Sequence, residues 1–131
     1  MVQYLFDENI SPSFARALNE IEKTRGQYSV IPTKDIVGAG AADAVIVKYA
    51  LSQSHPCIIC TNDRDFKKRQ LLPLIMSSTN VGLFVLQYPG SRNYWVEFEF
   101  IMKKWKMLRV VINSNSPPFA YWVSARGFKK I

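Results

Sequence analysis

Apolar positions along this chain fall into short continuous runs, separated by stretches in which they recur every three or four residues. That is the pattern of strands alternating with helices. Residues 2–6 form an apolar run that stops abruptly at Asp7-Glu8-Asn9. Ser11-Pro12 then opens a helix, with Ser as N-cap and Pro at the first helical position, where its missing N–H costs nothing. Phe14, Ala17, Leu18 and Ile21 repeat at helical spacing as far as Lys23, and Gly26 ends the segment. Residues 28–31 read as a second strand, followed by a loop from Asp35 to Gly40 and a helix over 41–53. The predicted buried face of that helix is Ala42, Val45, Ile46, Tyr49 and Ala50. A third strand covers 56–61, a third helix 65–77 with Pro73 inside it, and a fourth strand 81–86.

Beyond Pro89-Gly90-Ser91 the spacing predicts an amphipathic helix over 93–108, carrying Trp95, Phe98, Met102 and Trp105 on one face and Val96, Phe100 and Met107 on another. A helix apolar on two sides is either deeply buried or offers a surface to a partner. The tail reads as strands at 109–112, 118–123 and 128–131, the last two joined by Ala125-Arg126-Gly127 as a hairpin. The expected fold class is therefore α/β: a parallel sheet flanked by helices, with a C-terminal β-hairpin. At 131 residues the chain has enough apolar content, 48%, for one core, and the expectation is a single domain over 1–131.

Charge adds a second pattern. The net charge is +7, but residues 1–60 hold five bases against six acids, whereas residues 61–131 hold twelve bases against four. Carboxylates gather in one half and cations in the other, which suits metal chemistry in the first and a polyanionic partner across the second. Mean hydropathy is −0.04 and no apolar run approaches the roughly 18 residues of a membrane span, so the expectation is a cytoplasmic protein with no membrane partner. Cys57 and Cys60 form a CxxC pair, but along a strand residues three apart face opposite ways, so two buried thiols are expected rather than a chelate or a disulfide. His55, before Pro56, reads as a loop residue.

The acids stand where an open α/β sheet collects its ligands, outside the carboxyl ends of the strands. Asp7 and Glu8 follow the first strand, Asp63 and Asp65 the third, and Asp43 lies in the first turn of the helix leading into the third. Gathered carboxylates repel unless protonated or neutralised, and a hard divalent cation, Mg²⁺ or Mn²⁺, neutralises oxygen ligands best. With no His or Cys beside them, zinc is disfavoured. Each acid also has a purely structural reading. Asp43 would favour a helix dipole, Asp65 would cap the helix bearing Lys67, Lys68 and Arg69, and Asp7-Glu8-Asn9 would be a polar turn with Glu8 directed to solvent or a backbone N–H.

Three segments carry a family resemblance: Tyr4-Leu5-Phe6-Asp7-Glu8-Asn9-Ile10-Ser11-Pro12, Gly40-Ala41-Ala42-Asp43-Ala44-Val45-Ile46 and Thr61-Asn62-Asp63-Arg64-Asp65-Phe66. In order and spacing they resemble the signature segments of the PIN-like superfamily, specifically its short DUF5615/VapC-type toxin ribonuclease branch. The resemblance covers about the first ninety residues. It implies a Rossmann-like sheet, carboxylate-bound Mg²⁺ or Mn²⁺, RNA cleavage and a neighbouring antitoxin. Carried over by position, the first acid falls on Asp7, the middle acid on Asp43 and the acids after the third strand on Asp63 and Asp65. Many relatives place a second acid directly after the middle one, where this chain has Ala44.

The expected chemistry is metal-assisted phosphodiester hydrolysis. Asp7, Asp43 and Asp63 are the candidate metal ligands, and these three with Asp65 the candidate catalytic residues. Glu8, Thr61 and Asn62 would support them through hydrogen bonds. Arg64, Lys67, Lys68 and Arg69 would hold RNA phosphates as cations that position without reading sequence, unless they are only a solvated helix face. Trp105, Phe119, Tyr121, Trp122 and Phe128, interleaved with lysines, would either stack bases or, more commonly for such residues, fill the core. The two-sided helix would suit an antitoxin or a second copy in a homodimer. A receiver-like phosphoacceptor would want a Lys after a later strand, but Gln87-Tyr88-Pro89 stands there. A non-catalytic binding module for RNA or protein is the main alternative.

Overall fold

The structure is a computed structural model that describes residues 1–63, 70–88 and 93–131. Among the described residues eleven elements follow one another: β1 (Val2–Phe6), α1 (Pro12–Lys23), β2 (Tyr28–Pro32), α2 (Lys34–Val37), α3 (Asp43–Ser52), β3 (Cys57–Thr61), α4 (Leu72–Met76), β4 (Val81–Leu86), α5 (Tyr94–Ser114), β5 (Phe119–Ser124) and β6 (Gly127–Lys130). The strands form one sheet in the order β2-β1-β3-β4-β5-β6, parallel throughout except for the antiparallel β5–β6 hairpin. The expected α/β class and the terminal hairpin are both present. Among the described residues no helix is long and apolar enough to cross a membrane.

Side-chain alternation along the central strands divides the core in two. Tyr4, Phe6, Ile58, Cys60, Phe84 and Leu86 face α1 and α5, packing with Phe14, Leu18, Trp105, Leu108 and Ile112. Leu5, Cys57, Ile59, Leu83 and Val85 face α3 and α4, packing with Ile46, Val47, Ala50 and Ile75. Both faces are apolar, so the inner strands read as continuous hydrophobic runs rather than as alternating ones. The two cysteines lie on opposite faces, as their spacing requires, and both are free. Burial pushes the Cys57 thiol up to about 11 and raises that of Cys60 as well, so neither supplies a thiolate near neutral pH.

Several elements differ from the sequence reading. A short helix, α2, occupies part of the expected loop before Gly40. On α3 the buried residues are Ile46, Val47 and Ala50, while Val45 is exposed, so the buried face is turned from the predicted one. Within the described residues α4 begins only at Leu72, after Gln70 with φ +60°, and Pro73 sits in its first turn rather than its interior. The predicted strand at 109–112 is the continuation of α5. Its β-branched Val110, Val111 and Ile112 suggested a strand, but Leu108 and Ile112 prolong the buried helical stripe. Arg109 is fixed by Glu22 of α1, its Nη1 donating to Oε1 at 3.0 Å, and the same carboxylate accepts the Trp105 indole N–H at 2.8 Å. Trp95 and Trp105 also do not share a face. Ten residues fall about 80° short of three full turns, and Trp105 is buried where Trp95 is exposed.

At Gly82 the sheet tolerates no side chain. A Cβ there would lie 2.6 Å from the Phe119 ring and 3.0 Å from Ile58 Cδ1, between two neighbouring strands. Gly82→Ala is therefore expected to destabilise the fold by about 1–3 kcal/mol through overpacking. A urea melt of the two proteins measures this, and an unchanged midpoint would contradict it.

Candidate active site at the carboxyl edge of the sheet

Because β1, β3 and β4 are parallel, Phe6, Thr61 and Leu86 end at the same edge of the sheet. The β1–β3 ladder continues one residue further, with the Asp7 N–H donating to the Cys60 carbonyl at 3.0 Å. That bond holds Asp7 beside Thr61. The Thr61 hydroxyl donates to Asp7 Oδ2 at 2.8 Å and accepts the Asp63 N–H at 3.0 Å. One buried hydroxyl thus ties the acid after β1 to the backbone of the acid after β3. Asp7 is itself buried, at 6% exposure.

Asp43 approaches from the other side, in the first turn of α3. Asp7, Asp43 and Asp63 line one cleft of about 460 Å³ together with Glu8, Asn9, Ala41, Ala42, Ala44 and Leu71. The small side chains of Ala41, Ala42 and Ala44 line the cleft around Asp43. Glu8 serves the loop that delivers Asp43: its Oε2 accepts the Gly40 N–H at 2.9 Å. Gly40 has φ +74°, a backbone conformation that glycine adopts without strain. Asn62 is buried behind the cleft. Its Nδ2 reaches the Asn9 carbonyl at 3.5 Å, while its Oδ1 has no hydrogen-bond partner among the described residues. Arg64, Asp65, Lys67, Lys68 and Arg69 lie outside the described residues.

Asp43 and Asp63 act electrostatically on Asp7. The Asp7 carboxyl titrates above its ordinary range, first because burial penalises its charge, and further because Asp43 and Asp63 add negative potential. The Thr61 hydroxyl and the Glu8 backbone N–H oppose the shift without cancelling it. Among the described residues no three of His, Cys, Asp and Glu stand close enough to enclose an ion by themselves. The donors at hand are oxygens only. Mg²⁺ is commonly bound through one or two carboxylates, with waters and substrate phosphate completing its shell, so this donor set fits a hard divalent cation.

The family described as PIN like domain matches the chain over residues 2–88. The chain belongs to the PIN-like family. Its matched region runs from β1 through β4 and contains the whole carboxylate cleft, whereas α5, β5 and β6 lie beyond it. No curated protein and no solved structure matches the chain. PIN-like domains are in general a nuclease fold.

Two contacts beside the cleft were not legible in the sequence. Glu97 of α5 is buried and accepts the Ser11 N–H at 2.9 Å and the Tyr88 hydroxyl at 3.1 Å, which pins the start of α5 to the loop after Asp7. Its one signal was an acid set among Trp95, Val96, Phe98 and Phe100. The Glu8–Gly40 bond, spanning 32 residues, left no local trace.

The raised Asp7 pKa predicts a sign for stability. A carboxyl whose folded-state pKa exceeds its unfolded value contributes fully when protonated, and that contribution is lost as pH rises through the folded pKa. With chelator present, Asp7→Asn is therefore expected to melt above the wild type at about pH 7.5, with the gap closing toward about pH 4. Thermal melts across that range check this; a variant melting below the wild type at the upper end would count against it.

Proposed function

We propose that this PIN-like protein is a metal-dependent endoribonuclease, the toxin component of a toxin–antitoxin pair. The observation that carries the reading is the linkage of Asp7 to Asp63 through one Thr61 hydroxyl, in a cleft that also holds Asp43. Asp7 and Asp63 would hold the ion, and Asp43 would hold a second one or orient the attacking water. A bound Mg²⁺ or Mn²⁺ supplies a water of lowered pKa and positive charge against the scissile phosphate.

The chain's own residues then do the positioning. Thr61 fixes the Asp7 carboxylate by donating to Oδ2, leaving Oδ1 free of that bond. Glu8 holds the Gly40 loop and with it the start of α3. Asn62 would steady the loop after Asp7 through its Nδ2 on the Asn9 carbonyl. Asp65 is proposed as a further catalytic acid, and Arg64, Lys67, Lys68 and Arg69 as cations for the flanking RNA phosphates. An antitoxin protein and a second copy of the chain are the proposed protein partners, and the cytoplasm the proposed location. The 131 residues are proposed to act as one domain.

A second reading, a non-catalytic PIN-like module that binds RNA or protein, draws support from Ala44, which leaves the middle of the cleft with one carboxylate. Cleavage separates the two. Purified protein is incubated with labelled single-stranded RNA and Mn²⁺, Mg²⁺ or chelator, beside Asp7→Asn and Asp63→Asn. Cleavage that requires metal and falls about 100-fold or more in each variant is expected, the scale on which loss of transition-state charge stabilisation is felt. Intact RNA with the metal-loaded wild type would sink the nuclease reading and leave the binding module.

A further inference from the structure

The matched region ends at residue 88, yet the chain's charge does not. Residues 93–131 carry seven bases against two acids, a net +5 of the whole chain's +7. This unit comprises α5, β5 and β6, and three of its features lie at the same edge of the sheet as the carboxylate cleft. The first turn of α5 is fixed there by Glu97 to Ser11. The β5–β6 turn is there too, because β5 runs parallel to β4. Between them lies a groove of about 490 Å³, lined by Val96, Glu99, Phe100, Lys103, Lys104 and Ala125. In the strand order β1-β3-β4-β5, three strand spacings separate the Asp7 strand from the strand that ends at this turn, on the order of 15 Å.

At the head of α5 stands an aromatic cluster aimed outward. Trp95 is 72% exposed and Tyr94 46%. Their rings meet edge to face at 5.3 Å, and Phe98 backs both, 6.1 Å from Trp95 and 6.3 Å from Tyr94. Phe98 in turn packs edge to face on Phe14 of α1 at 4.9 Å. A large exposed indole is thus seated on rings that lead into the core, which limits the freedom it would lose on binding. Trp95, Glu99 and Lys103 follow one another at four-residue spacing, so the indole stands one and two turns along the same row from two residues that line the groove. The one acid on that path, Glu99, is paired with Lys103 at 2.9 Å. Lys104 donates to the Ala125 carbonyl at 3.2 Å and holds the hairpin turn against the helix.

We infer that α5 and the β5–β6 hairpin form a track for single-stranded RNA leading from the carboxylate cleft, with Trp95 and Tyr94 stacking bases and the groove beside Lys103 and Lys104 taking the adjacent backbone. This rests on the ribonuclease reading for its choice of polymer. An exposed π-face with cations two turns further along the same helix fits unpaired bases and phosphates together. A duplex hides its base faces, so the track discriminates against it. The positive balance of the unit argues for a polyanion over a second copy, whose equally basic track would repel it.

The test is binding in chelator, where no cleavage is needed, read by anisotropy of a labelled single-stranded RNA and of a duplex of the same length. The wild type is expected to prefer the single strand. Trp95→Ala is expected to weaken single-strand binding roughly 5- to 150-fold, the range of one lost base stack, with Trp95→Phe retaining most of it. Lys103→Ala with Lys104→Ala should flatten the log–log salt dependence by about 1.4. Trp95 is exposed, so its loss leaves the fold intact, which circular dichroism verifies. Equal affinity for Trp95→Ala and wild type would overturn the track, as would equal affinity for duplex. So would a dimer in sedimentation that Trp95→Ala dissociates while RNA affinity stays unmoved, since the face would then be a contact between copies. If metal-loaded protein cleaves RNA but Trp95→Ala binds normally, the track alone fails. If the track binds as expected but metal yields no cleavage, the nuclease reading alone fails.

Discussion

The pairing of β1 with β3 is the constraint on which the rest of this molecule depends. Both strands are buried on both faces, and their register sets Phe6 opposite Cys60. The next rung, Asp7 N–H to Cys60 carbonyl, lies at the boundary where the apolar run ends and the polar loop begins. A shift of one residue would turn Asp7 to the other face of the sheet and bring core side chains out with it. Hydrophobic register and placement of the acid are therefore the same fact. The Thr61 hydroxyl can bridge Asp7 and the Asp63 backbone only because burial of Tyr4, Phe6, Ile58 and Cys60 has already fixed where the two strands end.

A second constraint operates behind the sheet. Glu22 is almost wholly buried, and its charge is met by the Arg109 guanidinium and the Trp105 indole N–H. Removing either partner from such a pair leaves an uncompensated charge in the interior, which is more damaging than never having had the pair. Arg109 also lies over the Tyr28 ring at 5.6 Å, and the Tyr4 hydroxyl donates to the Leu108 carbonyl at 2.9 Å. These contacts bind α5 to α1, β1 and β2. Glu97 does the same at the helix's other end. Although α5 lies past the family-matched region, it is held at both ends by polar contacts inside that region, and its outward face is presented with a fixed orientation.

How much of this was legible in the sequence follows from the range of the interactions concerned. Local signals read correctly: Ser11-Pro12 starts α1, with the Ser11 hydroxyl accepting the Phe14 N–H, and the run at Cys57 is a fully buried strand. Asp7, Asp43 and Asp63 could be assigned to one cleft because strand ends and a helix start announce themselves in the chain. Long-range partners could not. Val110-Val111-Ile112 reads as a strand until Glu22, 87 residues before Arg109, is known to hold that turn of helix. The α3 face was misassigned because Val45, Ile46 and Val47 are all apolar, and only packing against β1 and β3 decides which of them turns inward. The tail aromatics fall to the core reading: Trp105 and Phe119 are buried, and Tyr121, Trp122 and Phe128 pack partly buried against them or the opposite face.

The electrostatics of the cleft give its asymmetry a meaning. Asp7 is disfavoured as an anion by its burial and by the two acids opposite it, while Thr61 is oriented to receive it as one. Burial and the two neighbouring acids make Asp7 easier to protonate than a free carboxyl, and a cation beside it would favour losing that proton, so proton and cation would compete. Binding of a divalent ion must then strengthen as pH rises through the Asp7 titration. Ala44 adds no carboxylate beside Asp43, and on the proposed reading water and substrate oxygens would help complete the shell of a hard cation held there. On that reading an RNA phosphate would supply such oxygens, and the cation would offset the negative charge it brings to the acidic cleft. Ion and substrate would consequently bind with positive coupling, each raising the affinity of the other by the same factor.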